Sequence, residues 1–389
     1  MATPSEPALP EIPMPTVPPA QGVLASLPPV EVGKLIQLPS IQGAKILLGR
    51  YTDPGGYYLF DVTTGQEIRL KPFPPDQGAG APGATMRVSP TGERILYTLF
   101  NNMEPLDPEG IGSVWTMKPD GTDHQKLAGS DEFSYPANAI WSPDGKRIAY
   151  LRFPDPKAVW EGKKKAEEVE LWVMNVDGSE QRKVAQLPPT ENIFGTNGSM
   201  QWLLDDHIYI VTQITTLGEW LRINPYNGEV TKLVEGVQPW DIVISPDTRW
   251  ILVSGAMTEE KVIALGRRPL RLPSIPVWDR TGGRIAFIQA PYPYSASSER
   301  EEGIWVRDMG SDQETLVVRI PVLEALRSSQ IALSPDGTML LYETKEGIHV
   351  VWIGSGIDRL IIPDPFAGMQ SPPFREGVEF IAWVPVTLP

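Results

Sequence analysis

"WSPDGKRIAY", residues 141–150, decides how this chain is read. A tryptophan leads into a Ser-Pro-Asp-Gly turn, two basic residues follow, and a short apolar run closes the stretch. Proline fixes φ in such a turn, aspartate offers a side-chain acceptor to neighbouring N–H groups, and glycine tolerates the backbone reversal. The stretch recurs as "VSPTGERILY" (88–97), "ISPDTRWILV" (244–253), "WDRTGGRIAF" (278–287) and "LSPDGTMLLY" (333–342), with "WLLDDHIYIV" (202–211) as a worn copy. Five or six active sites at these intervals make no chemical sense, whereas repeated reversals between paired strands do.

A second apolar run follows each copy. These runs are "SVWTMKPDG" (113–121), "LWVMNVDG" (171–178), "EWLRINPYNG" (219–228), "KVIALG" (261–266), "GIWVRDMG" (303–310) and "IHVVWIG" (348–354). A shorter, more polar run comes next, such as "QRKVAQ" (181–186). Strands apolar on both faces are covered on both faces, and a polar last strand suits an outer rim. Each unit is therefore a four-stranded meander. Stacked around an axis, such units make an all-β fold, a single β-propeller. Seven blades are expected. Six begin near Ser89, Ser142, Leu204, Ser245, Asp279 and Ser334. The seventh is split: "KILLGRY", "YYLFDV" and "QEIRLK" within 45–71 lack a first strand, and "EFIAWVPV" (379–386) is a first strand with no blade after it. Pairing the C-terminal strand with the N-terminal blade closes the ring. Counts of six or eight compete, because "VEVGKLIQL" (30–38) has no place in the scheme. "PVLEALRSS" (321–329) reads as one or two helical turns between blades six and seven.

The Ser-Pro-Asp-Gly form followed by "LWVMNVDG" resembles the WD-like propeller repeat of the TolB family, over residues of about 40–389. The resemblance implies the fold. It says little of function, since such blades occur in envelope proteins, peptidase side domains and lyases. TolB itself carries a separate α/β domain before its propeller, where this chain has a proline-rich segment, so the resemblance is to the propeller part.

Composition narrows the partners. The 389 residues include no cysteine, which excludes disulfides and thiolate chemistry. The net charge of −14 disfavours nucleic acid and anionic lipid. No apolar window is long enough to span a membrane, and "MATPSEPALP" has neither the basic nor the apolar region of a signal peptide. Residues 1–30 hold nine prolines and read as an extended tail or tether, with 31–389 as the propeller. Abundant proline, 41 residues, without cysteine also fits a thermophile.

Strand order sorts the loops. Turns between first and second strands, and between third and fourth, share one face and are short. The long insertions fall on the other face: 101–112, 152–170 and 289–303, with the inter-blade segments 128–138 and 187–199. Long loops on a rigid scaffold are where binding resides. Phe133, Tyr135, Phe153, Trp160, Phe194, Tyr292 and Tyr294 on that face are the candidate partner-binding residues, with packing of the loops onto the blades as the alternative. Asp144, Gly145, Asp177, Gly178, Asp336 and Gly337 are read as structural turn residues rather than calcium ligands. "EGKKKAEEVE" (161–170) reads as a solvated loop or helix tip, and Asn197 begins a glycosylation sequon.

No G-x-S-x-G pentapeptide is present, and no stretch is left for a hydrolase domain. His124, His207 and His349 fall in blades two, four and seven at different radii, so no shared metal and no cofactor are expected. These readings lead to a protein-binding or scaffold propeller that is not an enzyme. It would be exported to the periplasm, envelope or cell surface, with a cytoplasmic location as the alternative, and would bind a protein partner or itself. A carbohydrate-binding or lyase-like propeller is the second expectation. A structural subunit whose tail orders on a neighbour is the third.

Overall fold

The Ser-Pro-Asp-Gly reversal is a closed hydrogen-bonded unit. In blade three the Ser142 hydroxyl donates to Asp144 Oδ1 (2.6 Å) and accepts from the Arg147 N–H (2.9 Å), while the Lys146 N–H donates to the same carboxylate oxygen (3.1 Å). Ser245 with Asp247 and Trp250, and Ser334 with Asp336 and Met339, repeat the arrangement. All three serines are fully buried. The repeated aspartates at these turns therefore hold local backbone and the serine hydroxyl. Glycine sits where one turn abuts the turn of the preceding blade: at Gly92 (φ 75°) a Cβ would collide with the Pro385 carbonyl.

The structure is a computed structural model describing residues 33–37, 41–50, 56–70, 85–100, 112–165, 168–188, 200–214, 217–237, 242–254, 257–290, 301–320, 326–363 and 378–387. The tail 1–30, Phe194, Asn197, Tyr292 and Tyr294 lie outside the described residues.

The chain is a seven-bladed β-propeller. Blade one joins Val378–Thr387, as first strand, to Ile41–Arg50, Gly56–Asp61 and Glu67–Arg69. Blade two runs Thr85–Val88, Ile95–Phe100, Gly112–Met117 and Gln125–Gly129. Blade three runs Ser134–Trp141, Arg147–Pro154, Glu170–Asn175 and Arg182–Gln186. Blade four runs Met200–Trp202, Ile208–Ile214, Leu217–Ile223 and Val230–Val237. Blade six runs Val277–Trp278, Arg284–Gln289, Gly303–Asp308 and Glu314–Val318. Blade seven runs Leu326–Leu333, Met339–Thr344, Gly347–Trp352 and Ile357–Pro363. All six are antiparallel four-stranded sheets. Leu326–Leu333 being strand corrects the helical reading over 326–329. The preceding residues 321–325 are outside the described set.

Blade five departs from the pattern. Ile244 bridges Ile251, and Trp250–Leu252 pairs in parallel with Arg268–Leu270. Among the described residues two short helices interrupt the strands, α1 (Pro156–Trp160) in blade three and α2 (Glu259–Ala264) in blade five, and the run "KVIALG", expected as a strand, lies in and just beyond α2. The reason is local. The Thr258 side chain caps the N-terminus by accepting from the Lys261 N–H (3.3 Å), Glu259 and Glu260 occupy the first turn, and Gly266 (φ 67°) follows the C-terminus. Val262 is fully buried while both Ile263 and Ala264 are exposed, which breaks the two-residue alternation of a strand.

Second strands carry a buried tyrosine that ties the blade to its outer strand. The hydroxyls of Tyr97, Tyr150 and Tyr342 meet His124 Nδ1 (2.8 Å), Gln181 Oε1 (3.0 Å) and Asp358. Their rings pair with Trp115, Trp172 and His349 on the third strands. Burial pushes the hydroxyl pKa values of Tyr97 and Tyr342 up, and the Asp358 carboxylate adds to this at Tyr342. Two of the three histidines are thereby placed in separate blades as blade-core residues. Blade four, where Leu203 replaces the turn serine, is braced instead by Arg147 of blade three. Its guanidinium lies between the Trp202 and Tyr226 rings (5.0 and 4.6 Å) and reaches Asp206.

Two substitutions test this account. Ser142→Ala removes a buried hydroxyl used twice and should cost roughly 1–3 kcal/mol, read as a lower urea midpoint. Thr248 holds the glycine position of blade five at φ 61° with its Oγ1 buried and unpartnered. Relieving left-handed strain of about 1–2 kcal/mol and an orphaned hydroxyl of about 1–3 kcal/mol outweighs losing two buried carbons, about 1.6 kcal/mol. Thr248→Gly should therefore raise the urea midpoint; a fall contradicts the turn account.

Candidate functional site: the loop face and the axial mouth

The two ends of the propeller differ. On the loop face, blade three presents a platform built by its own polar groups. The Asp131 carboxylate accepts from the backbone N–H groups of Phe133 (2.9 Å) and Ser134 (2.8 Å) and pairs with Arg152, which also donates to Ser134 Oγ (2.9 Å). This fixes the turn that carries Phe133. The Phe133 carbonyl then accepts from the Asp155 N–H (2.9 Å). Asp155 in turn caps α1 through the N–H groups of Lys157 (2.8 Å) and Ala158 (3.3 Å), and buried Ala158 seats the helix. At its end Trp160 is 87% exposed, and Phe133 is 42% exposed. An indole presented to solvent from a capped, seated helix is pre-ordered for a contact.

Tyr135 and Phe153 do something else. Paired across the first two strands of blade three, their rings stack at 5.7 Å, and Phe153 rests on the core between blades three and four. Both are half-buried. Burial, with the Asp155 charge, raises the Tyr135 pKa. Of the four described aromatic candidates, two are presented to solvent and two hold the loops down.

The opposite end carries a feature that loop lengths did not signal. The first–second turns of blades two to seven and the closing strand of blade one converge on a cavity of about 320 Å³ at the axis. Pro90, Pro143, Pro246, Pro335 and Pro385 form much of its rim, and Trp202, Trp278 and Trp383 stand behind them. Arg280 is its one charged lining residue and is tied to the Pro90 carbonyl (2.8 Å). Burial lowers its pKa, against the opposing charge of Asp279. The recurrence of proline at one position of every regular turn was the available signal, since residues equivalent in each blade meet at the axis. Among the described residues no group of three or more metal-ligating side chains occurs, and no helix is long and apolar enough to cross a membrane.

The architecture defines a propeller of Ser-Pro-Asp-Gly blades. No protein-family model matches the chain. It is 27% identical over 119 residues to prolyl endopeptidase FAP of Bos taurus, a match spanning 28% of this chain and 14% of that protein. Similar solved structures include TolB from Acinetobacter baumannii, with 15% identity, TM-score 0.39, 82% of this chain and 77% of that one. An oligogalacturonate lyase in complex with manganese shows 11% identity, TM-score 0.38, 80% and 86%. A puromycin hydrolase shows 14% identity, TM-score 0.36, 89% and 48%. The expectation that the chain is not an enzyme is overturned here. A prolyl endopeptidase, a hydrolase and a lyase stand among the similar proteins, so a non-catalytic class does not follow from the repeat.

The platform predicts a separation of effects. Asp155→Ala, which uncaps α1, should cost about 1 kcal/mol, whereas Trp160→Ala should stay within about 0.5 kcal/mol of the parent. Thermal and urea unfolding of the two variants read the difference.

Proposed function

We propose that this propeller binds a partner protein through its loop face, with Trp160 and Phe133 as anchors. Phe194, Tyr292 and Tyr294, from neighbouring loops, are assigned to the same face. The observation that carries the reading is Trp160, held nearly fully exposed on a helix whose cap and seat are both made within blade three. Large aromatics that are rigid before binding lose little conformational freedom on contact. The reading places the protein outside the cytoplasm, with residues 1–30 as a proline-rich tether.

A photo-crosslinking amino acid placed at position 160 in the native host tests this, with position 226 as control because Tyr226 is also exposed but lies at a third–fourth turn on the other face. A discrete adduct from 160 that is absent from 226, and that Phe133→Ala reduces severalfold, is the expected result. No adduct at 160, or the same adducts at both positions, refutes the loop-face assignment.

A further inference from the structure

The run "VEVGKLIQL" found no place among the blades, and its described part, residues 33–37, meets the edge of the axial mouth at Leu204 without lining the cavity itself. The Ile36 N–H donates to the Leu204 carbonyl (2.7 Å), and Leu204 lines the cavity. Leu35 and Ile36 are half-buried there, while Gly33, Lys34 and Gln37 are exposed.

The chemistry of the mouth explains why a peptide backbone should lie on it. Four of the turns and the closing strand place proline on the rim, and proline brings a carbonyl without an N–H. Some of those carbonyls are answered by neighbours: Pro90 by Arg280 (2.8 Å), and Pro246 by the Leu204 N–H (3.0 Å). Three indoles also line the cavity, and that of Trp278 has its Nε1–H donor buried without a partner. An extended segment that brings a backbone carbonyl to that donor, an N–H to the Leu204 carbonyl and apolar side chains to the prolines and indoles complements such a surface. Residues 30–38 fit that description. They are free of proline, between Pro28-Pro29 and Pro39, and five of their nine residues, Val30, Val32, Leu35, Ile36 and Leu38, are apolar.

The docking point is also chemically distinct. Blade four is where the repeat is worn: Leu203 and Leu204 stand in place of Ser-Pro, and the turn closes from Leu203 to His207 rather than over the longer Ser142–Arg147 span. The repeat is thus broken at the turn on which the segment rests.

We propose that the axial mouth is a binding site for an extended, proline-free apolar peptide, and that this chain's own residues 33–37, held at its edge by the Ile36–Leu204 hydrogen bond, compete for it in cis. The site is on the opposite face from Trp160 and does not depend on the loop-face reading. A segment tethered to its own site is present at an effective concentration of about millimolar, so the same peptide added in trans competes poorly until the resident is displaced. Any external peptide using the mouth must therefore be read against cis occupancy.

Two measurements on the full chain test this. First, hydrogen exchange should show the 34–37 amides protected at least tenfold relative to a free peptide of the same sequence. Second, a fluorescein-labelled peptide of residues 30–38 should bind the full-length Leu35→Asp/Ile36→Asp variant at least tenfold more tightly than the parent by anisotropy. Adding Pro335→Arg at the rim should abolish that gain. Free-peptide exchange at 34–37, equal peptide affinity for parent and variant, or binding indifferent to Pro335→Arg each overturns the proposal. Because the double substitution lies outside the blades, loss of the fold does not confound it. Crosslinking at position 160 reports the loop face separately.

Discussion

The rest of the molecule depends on one pairing, that of Val378–Thr387 with Ile41–Arg50. Ile46 faces Trp383 and Leu47 faces Ala382 in an antiparallel register that makes the last strand the first of blade one. Without it blade one would expose the inner edge of a sheet at the axis, and blades one and seven would lose the shared core formed by Ile46, Leu48, Leu341, Val350 and Trp383. With it, every blade has two neighbours and each cluster of apolar side chains lies between adjacent sheets. The axial mouth exists only because the ring is closed: Pro385 and Trp383, from the closing strand, complete its wall.

The two faces follow from the same strand order. Short turns converge on the axis because they join the first two strands of each blade, and their serine-aspartate bonding leaves little chain to spare. The opposite end must carry the connections between second and third strands and between blades, and these are free to lengthen. Blade three uses that freedom to build α1 and present Trp160. The loop face thus holds exposed aromatic anchors on polar scaffolding, whereas the mouth is a concave, proline-rimmed surface touched by the chain's own residues 33–37.

Much of this was legible from residue types. Ser142, Ser245 and Ser334 announced the turns, and "EFIAWVPV" announced the closure. What failed shows where local rules compete. "KVIALG" carries a strand-like apolar run, but Thr258, Glu259 and Gly266 form a helix frame around it, and capping prevailed over propensity. Residues 326–329, within the run 321–329 that reads locally as helix, belong to a strand, Leu326–Leu333, because of pairing with Met339–Thr344. Among the aromatics, residue type could not separate Trp160 from Phe153, because the difference lies in what each ring rests on. The axial mouth was hidden for a different reason. Its lining comes one to three residues at a time from all seven blades, and only the closed ring brings them together.

Native-state hydrogen exchange at the closing pair tests the account most directly. The amides of Ile46, Leu47, Leu48 and Trp383 should exchange only through global opening, with the same free energy as those of Ile148, Ala149, Tyr150 and Leu151 in blade three. Exchange at the closing pair that is orders of magnitude faster, while blade three stays protected, would show an open ring and contradict both the blade assignment and the axial mouth built upon it.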